Sequence, residues 1–283
     1  MRVLLSSFVL LVGCAAVENA KMDSDGDGIL DEAERSAGTD PESADSDDDG
    51  LSDGDEANAG TDPLAADSDG DGYDDKAEID AELNPNFEWS HPYENGDYLV
   101  GACPVLPDME NAGPTGIGSY VDGGRVYEWD AYQVGDTLNA WAGIDSYEQE
   151  AGFYTFCGNY MLVTVSAGWC GPCQDLAEEL AAEQEKVRQE YPNFISFELL
   201  YQNARGGLPT ASVLADWRDT FGLDGVPVVA PFSEDDTEIP FLEVDGFIPT
   251  SFLVAPDMTV ISMDEYVTSA RDIKALIAEH MGE

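Results

Sequence analysis

Three twelve-residue strings of aspartate and glycine recur without a gap at a period of 22 residues, starting at Asp23, Asp45 and Asp67. With like charge at every second position and almost nothing apolar between, such a stretch has no hydrophobic surface with which to collapse. It stays expanded unless something neutralises its carboxylates. The spacing names the candidate, because each copy carries oxygen ligands at positions 1, 3, 5, 9 and 12, glycine at position 6 (Gly28, Gly50, Gly72) and a backbone carbonyl at position 7. A calcium ion takes about six to eight oxygens, a sharp turn within the loop and a closing bidentate glutamate. The ligands read this way are Asp23, Asp25, Asp27, the carbonyl of Ile29, Asp31 and Glu34 in the first copy. The second offers Asp45, Asp47, Asp49, the carbonyl of Leu51, Asp53 and Glu56, and the third Asp67, Asp69, Asp71, the carbonyl of Tyr73, Asp75 and Glu78. Three or more calcium ions are expected.

The spacers are too short for a pair of long helices around each loop, and they hold Gly38-Thr39-Asp40-Pro41 and Gly60-Thr61-Asp62-Pro63, each a helix stop followed by a turn. Loop and spacer together resemble the thrombospondin type 3 repeats of bacterial envelope proteins, from Asp23 to about Pro85. The resemblance implies a spacer that calcium orders and that is disordered without it. Asp40 and Asp62 are further candidates to reach a neighbouring ion. An acidic linker that holds no ion is the other reading of the same composition.

Charge narrows the partners. The chain carries 59 acids against 11 bases for a formal net charge of −48, and 24 of those acids with three of the bases fall between residues 21 and 82. The other acids spread a negative surface over the remainder of the chain. Phosphate backbones would be repelled, so no nucleic-acid partner is expected. A length of 283 residues leaves room for two compact units.

At the start, Arg2 precedes a mostly apolar run from Val3 to Val12, which is too short to cross a bilayer and reads as an export signal. Its end, Leu11-Val12-Gly13-Cys14, resembles the bacterial lipobox. That resemblance implies a signal peptide over residues 1–13, a lipidated Cys14, a linker over 14–22 and a chain exported to the bacterial cell envelope. There it would be held on the outer membrane by its acyl chains, facing the periplasm or the surface. An ordinary cleaved signal with a chance cysteine is the alternative.

Export makes disulfides permissible. Beyond Cys14 the cysteines are Cys103, Cys157, Cys170 and Cys173, and the two histidines, His91 and His280, lie near neither close pair nor each other. That disfavours a Cys₂His₂ zinc site and histidine-dependent nucleophiles. Tyr160–Val165 reads as a buried strand running into Ser166-Ala167-Gly168-Trp169-Cys170-Gly171-Pro172-Cys173. A helix pattern follows with Leu176, Leu180, Val187 and Tyr191, ended by Pro192. Cys170 thus falls at a helix N-terminus, where the dipole favours thiolate, with Cys173 one turn in. A structural bridge, or half of a four-cysteine zinc site, are the competing readings.

The string Trp169-Cys170-Gly171-Pro172-Cys173 between strand and helix resembles the thioredoxin superfamily, and the long segment between the first and third strands, with Val134–Thr137 upstream, resembles its exported TlpA-like, redoxin-type members, over about residues 131–283. An α/β fold is implied, a central mixed sheet flanked by helices, preceded by the small calcium-binding repeat segment, with residues 86–130 as a connector. Phe194–Tyr201 reads as the next strand, Ala211–Phe221 as a helix stopped at Gly222, Thr259–Met263 as a final strand and Ser269–Met281 as a closing helix. Val134-Gly135-Asp136-Thr137 reads as the start of an added strand pair, and Gly246–Val254 resembles the family's cis-proline segment, with Pro249 as that proline.

The chemistry implied is thiol–disulfide exchange. Cys170 attacks, Cys173 resolves, and Trp169, Ile248 and Pro249 shape the substrate groove. Substrates would be protein disulfides, an upstream thiol would supply electrons, and no organic cofactor is needed. Gly-Pro between the cysteines resembles reductants more than oxidants, and no Pro-x-x-x-Thr-x-x-Cys string supports a peroxiredoxin. Two features depart from the family: Thr164 stands six residues before Cys170 where a buried carboxylate is usual, and Asp175, Glu178 and Glu179 crowd the helix start with negative charge. Cys103 and Cys157 are candidates for a structural disulfide tying residues 87–130 to the core, or one is a free relay thiol. Overall the sequence points to a lipid-anchored reductase or isomerase with a calcium-ordered stalk. A calcium-dependent adhesion or binding lipoprotein with an inert thioredoxin-like domain is the competing class.

Overall fold

The computed structural model describes residues 22–101, 112–122, 125–232, 248–263 and 269–282, with backbone alone over 116–122 and 125–131. The signal segment 1–13, Cys14 and Cys103 lie outside the described residues, as do Gly246 and Phe247. The chain divides into two compact units, one reaching to Ala81 and taking in Pro85–Glu88, the other formed by Glu82–Asn84 and Trp89–Glu283.

In the first unit each acidic loop leads into one short helix: α1 (Asp31–Ala37), α2 (Asp53–Ala59) and α3 (Asp75–Asp80). Helices of six or seven residues do not persist alone in water. Gly38 and Gly60 end the first two in the left-handed region at φ 103° and 83°, where a side chain would be strained. The interior is unusual, because its buried side chains are Asp31, Glu34, Asp53, Glu56, Asp75 and Glu78 beside Thr39, Thr61, Leu51 and Phe87. Carboxylates have replaced a hydrophobic core. Charged groups are buried in this way only when paired or bound to metal.

The second unit opens with a hairpin of β1 (Gly116–Asp122) and β2 (Arg125–Ala131), paired antiparallel. After it come β3 (Ala142–Asp145), β4 (Glu150–Gly152), a 3₁₀ turn at Tyr154–Phe156, β5 (Tyr160–Ala167), α4 (Gly171–Arg188), β6 (Phe194–Gln202) and α5 (Ala211–Phe221). The last elements are β7 (Val228–Ala230), β8 (Thr250–Val254), β9 (Val260–Ser262) and α6 (Ala270–Met281). Seven strands form one mixed sheet in the order β4-β3-β7-β6-β5-β8-β9, with β5, β6 and β7 parallel and the pairs β3/β4, β3/β7, β5/β8 and β8/β9 antiparallel. This is a thioredoxin-like sheet, and the fold class read from the sequence is present.

Every residue of β5 is buried, as befits a parallel strand covered on both faces. Alternation sorts them. Leu162 on β5, Leu200 on β6, Val228 on β7 and Leu253 on β8 join Cys173, Ala177, Leu180 and Val187 of α4, Leu214 and Trp217 of α5, and Ile273 and Ile277 of α6 in one cluster. On the other face Phe197 meets the rings of Phe153 and Phe156 at 5.1 and 5.7 Å. Residues 89–101 pack onto the same unit: Tyr98 donates its hydroxyl to Asp145 at 2.9 Å and Tyr93 to the carbonyl of Glu150 at 2.6 Å.

One expected element is displaced. Val134–Thr137 does not begin a strand pair; Gly135 turns at φ 100° and the Asp136 carboxylate accepts from Thr115 and from the Gln133 N–H, leaving Thr137 only an isolated bridge to Thr259. The added pair starts at Ala142 instead, where β3 turns back into β4.

Candidate functional site

The acidic loops repeat one another bond for bond. At position 1 the two carboxylate oxygens accept from backbone N–H groups three and five residues on: Asp23 from Gly26 and Gly28, Asp45 from Asp48 and Gly50, Asp67 from Gly70 and Gly72. At position 9, Asp31, Asp53 and Asp75 each hold both the N–H and the hydroxyl of the serine at position 2, so these acids brace the loop as well as lining it. Asp40 and Asp62 accept from the N–H two residues on and form turns. Position 5 reaches across the repeat boundary, where Asp27 accepts from Gly54 N–H at 3.0 Å and Asp49 from Lys76 N–H at 3.2 Å.

What the loops leave over is a set of oxygens. Asp25 Oδ2, Asp47 Oδ2 and Asp69 Oδ2 are buried without a hydrogen-bond partner, as are both oxygens of Glu34 and Glu78 and one of Glu56. Carboxylate oxygens of Asp23, Asp25 and Asp27 converge within 4.8 Å of one another, as do those of Asp45, Asp47 and Asp49, and of Asp67, Asp69 and Asp71. A fourth group joins Asp27 and Glu34 to Asp53 of the next repeat. Burial, then the charges of Asp71 and Asp69, pushes Glu78 up to about 9. Burial and Asp47 bring Glu56 to about 7, and burial with Asp71 brings Asp69 to about 6. Orphaned, mutually repelling, hard oxygens are a donor set that fits a divalent cation of the calcium type.

The redox pair is built by the strand-to-helix turn. Cys170 is the N-cap of α4 in extended conformation, and Pro172 sits in the first turn, where its missing N–H costs no intrahelical bond. Cys170 and Cys173 form a disulfide with Cα atoms 5.3 Å apart. Cys173 N–H points at Cys170 Sγ from 3.1 Å, a donor aimed where thiolate charge would develop. The Ile248 carbonyl lies 3.8 Å from Cys170 Sγ, and the Ile248–Pro249 bond is cis. Trp169 is 53% exposed, with its ring N–H bonded to Gln202, whereas Cys170 is 4% and Cys173 0% exposed. The structure thus gathers Trp169, Cys170, Cys173, Ile248 and Pro249 at the end of β5. The acids expected to crowd the helix start do not: α4 begins at Gly171 with no acid in its first turn, and Asp175, Glu178 and Glu179 lie beyond it. Cys157 is fully buried and disulfide-bonded; Cys103, the partner suggested by the sequence, lies outside the described residues.

Glu198 belongs to no sequence motif. It stands on β6 directly beside Thr164 of β5, is wholly buried, and accepts a short hydrogen bond from the Thr164 hydroxyl. Burial raises its carboxyl to about 7, against the opposing influence of Ser166, Thr164 and Trp217. The signal was available, since an acid in the middle of Phe194–Tyr201 has no solvent face in a strand that is apolar on both sides. The folded chain holds this proton more tightly than the unfolded chain, where the carboxyl titrates near 4.5. Stability is therefore full below that pH and falls by up to ~3 kcal/mol as pH rises through neutrality. Urea unfolding at about pH 5 and 7.5 measures this, and Glu198→Gln removes the decline.

Residues 23–44, 45–66 and 67–86 match the family model of the bacterial TSP3 repeat. None of the curated proteins matches the chain. Among solved structures, the thioredoxin domain of a thiol-disulfide oxidoreductase from Bacteroides vulgatus aligns at 15% identity over 53% of this chain and 99% of its own, with a TM-score of 0.42. A thiol:disulfide interchange protein from Bacteroides sp. aligns at 17% identity over 53% and 91%, with a TM-score of 0.37. Arabidopsis thaliana ScoI, solved with copper bound, aligns at 11% over 53% and 100%, with a TM-score of 0.42. Residues 23–86 thus match bacterial TSP3 repeats, and the second unit carries a thioredoxin-like mixed sheet with a Cys-Gly-Pro-Cys pair.

Proposed function

We propose that this protein is an exported, lipid-anchored thiol–disulfide oxidoreductase of the bacterial envelope, working as a reductase or isomerase of protein disulfides. The observation that carries the reading is the Cys170–Cys173 pair at the N-terminus of α4, with a backbone donor on Cys170 Sγ and the Ile248 carbonyl beside it. In the reducing direction, Cys170 thiolate attacks one sulfur of a substrate disulfide, and the other leaves as a thiolate that takes up a proton. Cys173 then loses its proton and attacks Cys170 Sγ, which breaks the mixed disulfide and frees the second substrate thiol. The enzyme is left oxidised, two electrons poorer, and an upstream dithiol restores it by the same exchange in reverse. Trp169 and the Ile248–Pro249 segment offer an apolar wall and a backbone acceptor to an extended substrate chain.

Calcium belongs to the same reading. The carboxylates of Asp25, Glu34, Asp47, Glu56, Asp69 and Glu78, with their loop neighbours, would hold the ions, whose charge supplies the compensation that this interior lacks. Ordered repeats would serve as a stalk behind an acylated Cys14.

The deciding experiment is the reduction potential of Cys170/Cys173, equilibrated in glutathione or dithiothreitol buffers with calcium present, beside insulin-type disulfide turnover. A potential of roughly −200 to −300 mV with turnover supports the reductase. A pair that stays oxidised in all but the harshest reductant, with no turnover, makes the bridge structural and moves the function to calcium-dependent binding by the repeats.

A further inference from the structure

The exchange reaction asks something of Cys173 that its surroundings make difficult. To attack Cys170 Sγ it must shed a proton, yet it is wholly buried and water cannot serve it directly. A buried base on the same side of the sheet would. The buried carboxyls of the second unit, among the described residues, are Asp136, Asp145 and Glu198. Asp136 is engaged by Thr115 and the Gln133 N–H. Asp145 is engaged by the N–H groups of Tyr147 and Gln149 and the hydroxyl of Tyr98, holding the β3–β4 turn. Among the described residues, Glu198 is the buried carboxyl that remains for chemistry.

Its position fits. Leu162 and Leu200 belong to the cluster that contains Cys173, and strand alternation puts Thr164 and Glu198, each two residues away, on that same face. Across the sheet, Ser251 of β8, Thr164 of β5 and Glu198 of β6 stand in register as a buried polar row. The row is not consumed by structure: Glu198 Oε1, Ser166 Oγ and Ser251 Oγ have no hydrogen-bond partner. Ser166 and Trp217 lie near enough to favour the charged carboxyl without reaching hydrogen-bond geometry. From β7 the neighbour in register is Val228. The titratable groups of the surrounding layer are Cys170 and Cys173, with Tyr160, Tyr191 and Tyr201 packed into it, and no charged side chain contributes to the shift of Glu198. A carboxyl so placed, near neutrality and without a counter-ion, is free to change its protonation state.

We propose that Glu198, on β6 beside Thr164, takes the proton of Cys173 as that sulfur attacks Cys170, and, protonated again from solvent, gives one back to Cys173 when the pair is reduced. The proposal rests on the exchange activity inferred above. In the oxidising half, the Cys173 S–H bond breaks, the new S–S bond forms to Cys170, and the bond from Cys170 to the substrate sulfur gives up its electron pair to the leaving thiolate. Glu198 holds the proton until solvent or the departing thiolate receives it. Glu198 is thus a proton carrier for the resolving step and leaves the first attack to Cys170.

The test follows the rate of disulfide reduction by the full chain in calcium buffer between about pH 5 and 9, with iodoacetamide alkylation of Cys170 as a separate readout of the first thiol. Wild type is expected to show a break near neutrality in turnover that the alkylation profile does not account for. Glu198→Gln should lower turnover at neutral pH by about tenfold to a hundredfold and remove that break, while Cys170 alkylation keeps its profile. Thr164→Asp combined with Glu198→Gln should recover part of the loss by restoring an acid from the adjacent strand. Should Glu198→Gln not fold, carboxyl infrared difference spectra of reduced and oxidised wild type decide: a carboxyl that changes protonation with the redox state supports the proposal, and none overturns it. A variant with wild-type rate and profile overturns it too. A wild type that never turns over instead overturns the oxidoreductase reading, and this proposal with it.

Discussion

If the proposed exchange reaction holds, Cys170→Ser is expected to abolish disulfide reduction, a fall of ~10³-fold or more, because no other described sulfur occupies the α4 N-terminus. Cys173→Ser behaves differently. Its Cys170 still attacks, but nothing resolves the product, so incubation with a disulfide substrate accumulates a mixed disulfide that dithiothreitol releases. Non-reducing electrophoresis and intact-mass measurement check both outcomes. The contrast between the two variants is the informative part, since a structural bridge would give two variants that are equally destabilised and equally inert. Trapping by Cys173→Ser, with none by Cys170→Ser, fixes which sulfur meets the substrate.

Removing divalent cations with EDTA has the other large effect, confined to the first unit. Its interior is made of Glu34, Glu56, Glu78 and the acids around them, and without a cation these groups repel where a hydrophobic core would cohere. Helices as short as α1, α2 and α3 do not hold by themselves. Chelation is therefore expected to melt residues 22–81, raising the rate of proteolytic cleavage there by at least about tenfold, while the thioredoxin-like unit keeps its protection. Calcium restores the protected pattern. Limited proteolysis read by mass spectrometry locates the cuts, and cleavage that is unchanged by EDTA would remove calcium from the account of the repeats.

Much of this was legible because local chemistry and tertiary position agree. Cys170-Gly171-Pro172-Cys173 between an apolar strand and an amphipathic helix gives a strand-to-helix turn whatever surrounds it. The helix Ala211–Phe221 ends at Gly222, whose φ of 63° is the left-handed stop that its sequence suggests. The three loops announced themselves by repetition. Other parts were hidden for physical reasons. The strand Val228–Ala230 is three residues long between Pro227 and Pro231, too short to show a period, and it exists because β6 and β3 flank it. The hairpin β1–β2 pairs two stretches that carry no chemical motif. Glu198 is hidden in the sequence because strand patterns show in their apolar residues, while its meaning comes from Thr164, which is 34 positions away in sequence and adjacent in register.

The bonds from Asp27 to the N–H of Gly54 and from Asp49 to the N–H of Lys76 have a consequence for how this part of the chain can grow. Each boundary is recognised through a main-chain N–H, but the two differ in what they admit: a Cβ at Gly54 would stand 2.2 Å from the Asp27 carbonyl oxygen, so the first requires glycine where the second carries Lys76. A copy that follows the first repeat must therefore bring glycine at the position of Gly54. Insertion or loss of one 22-residue unit keeps the bond pattern in phase wherever that glycine is kept, whereas a change of any other length breaks the phase. The array is a ruler with fixed graduations, and its length is free to vary among descendants of this gene in whole steps only.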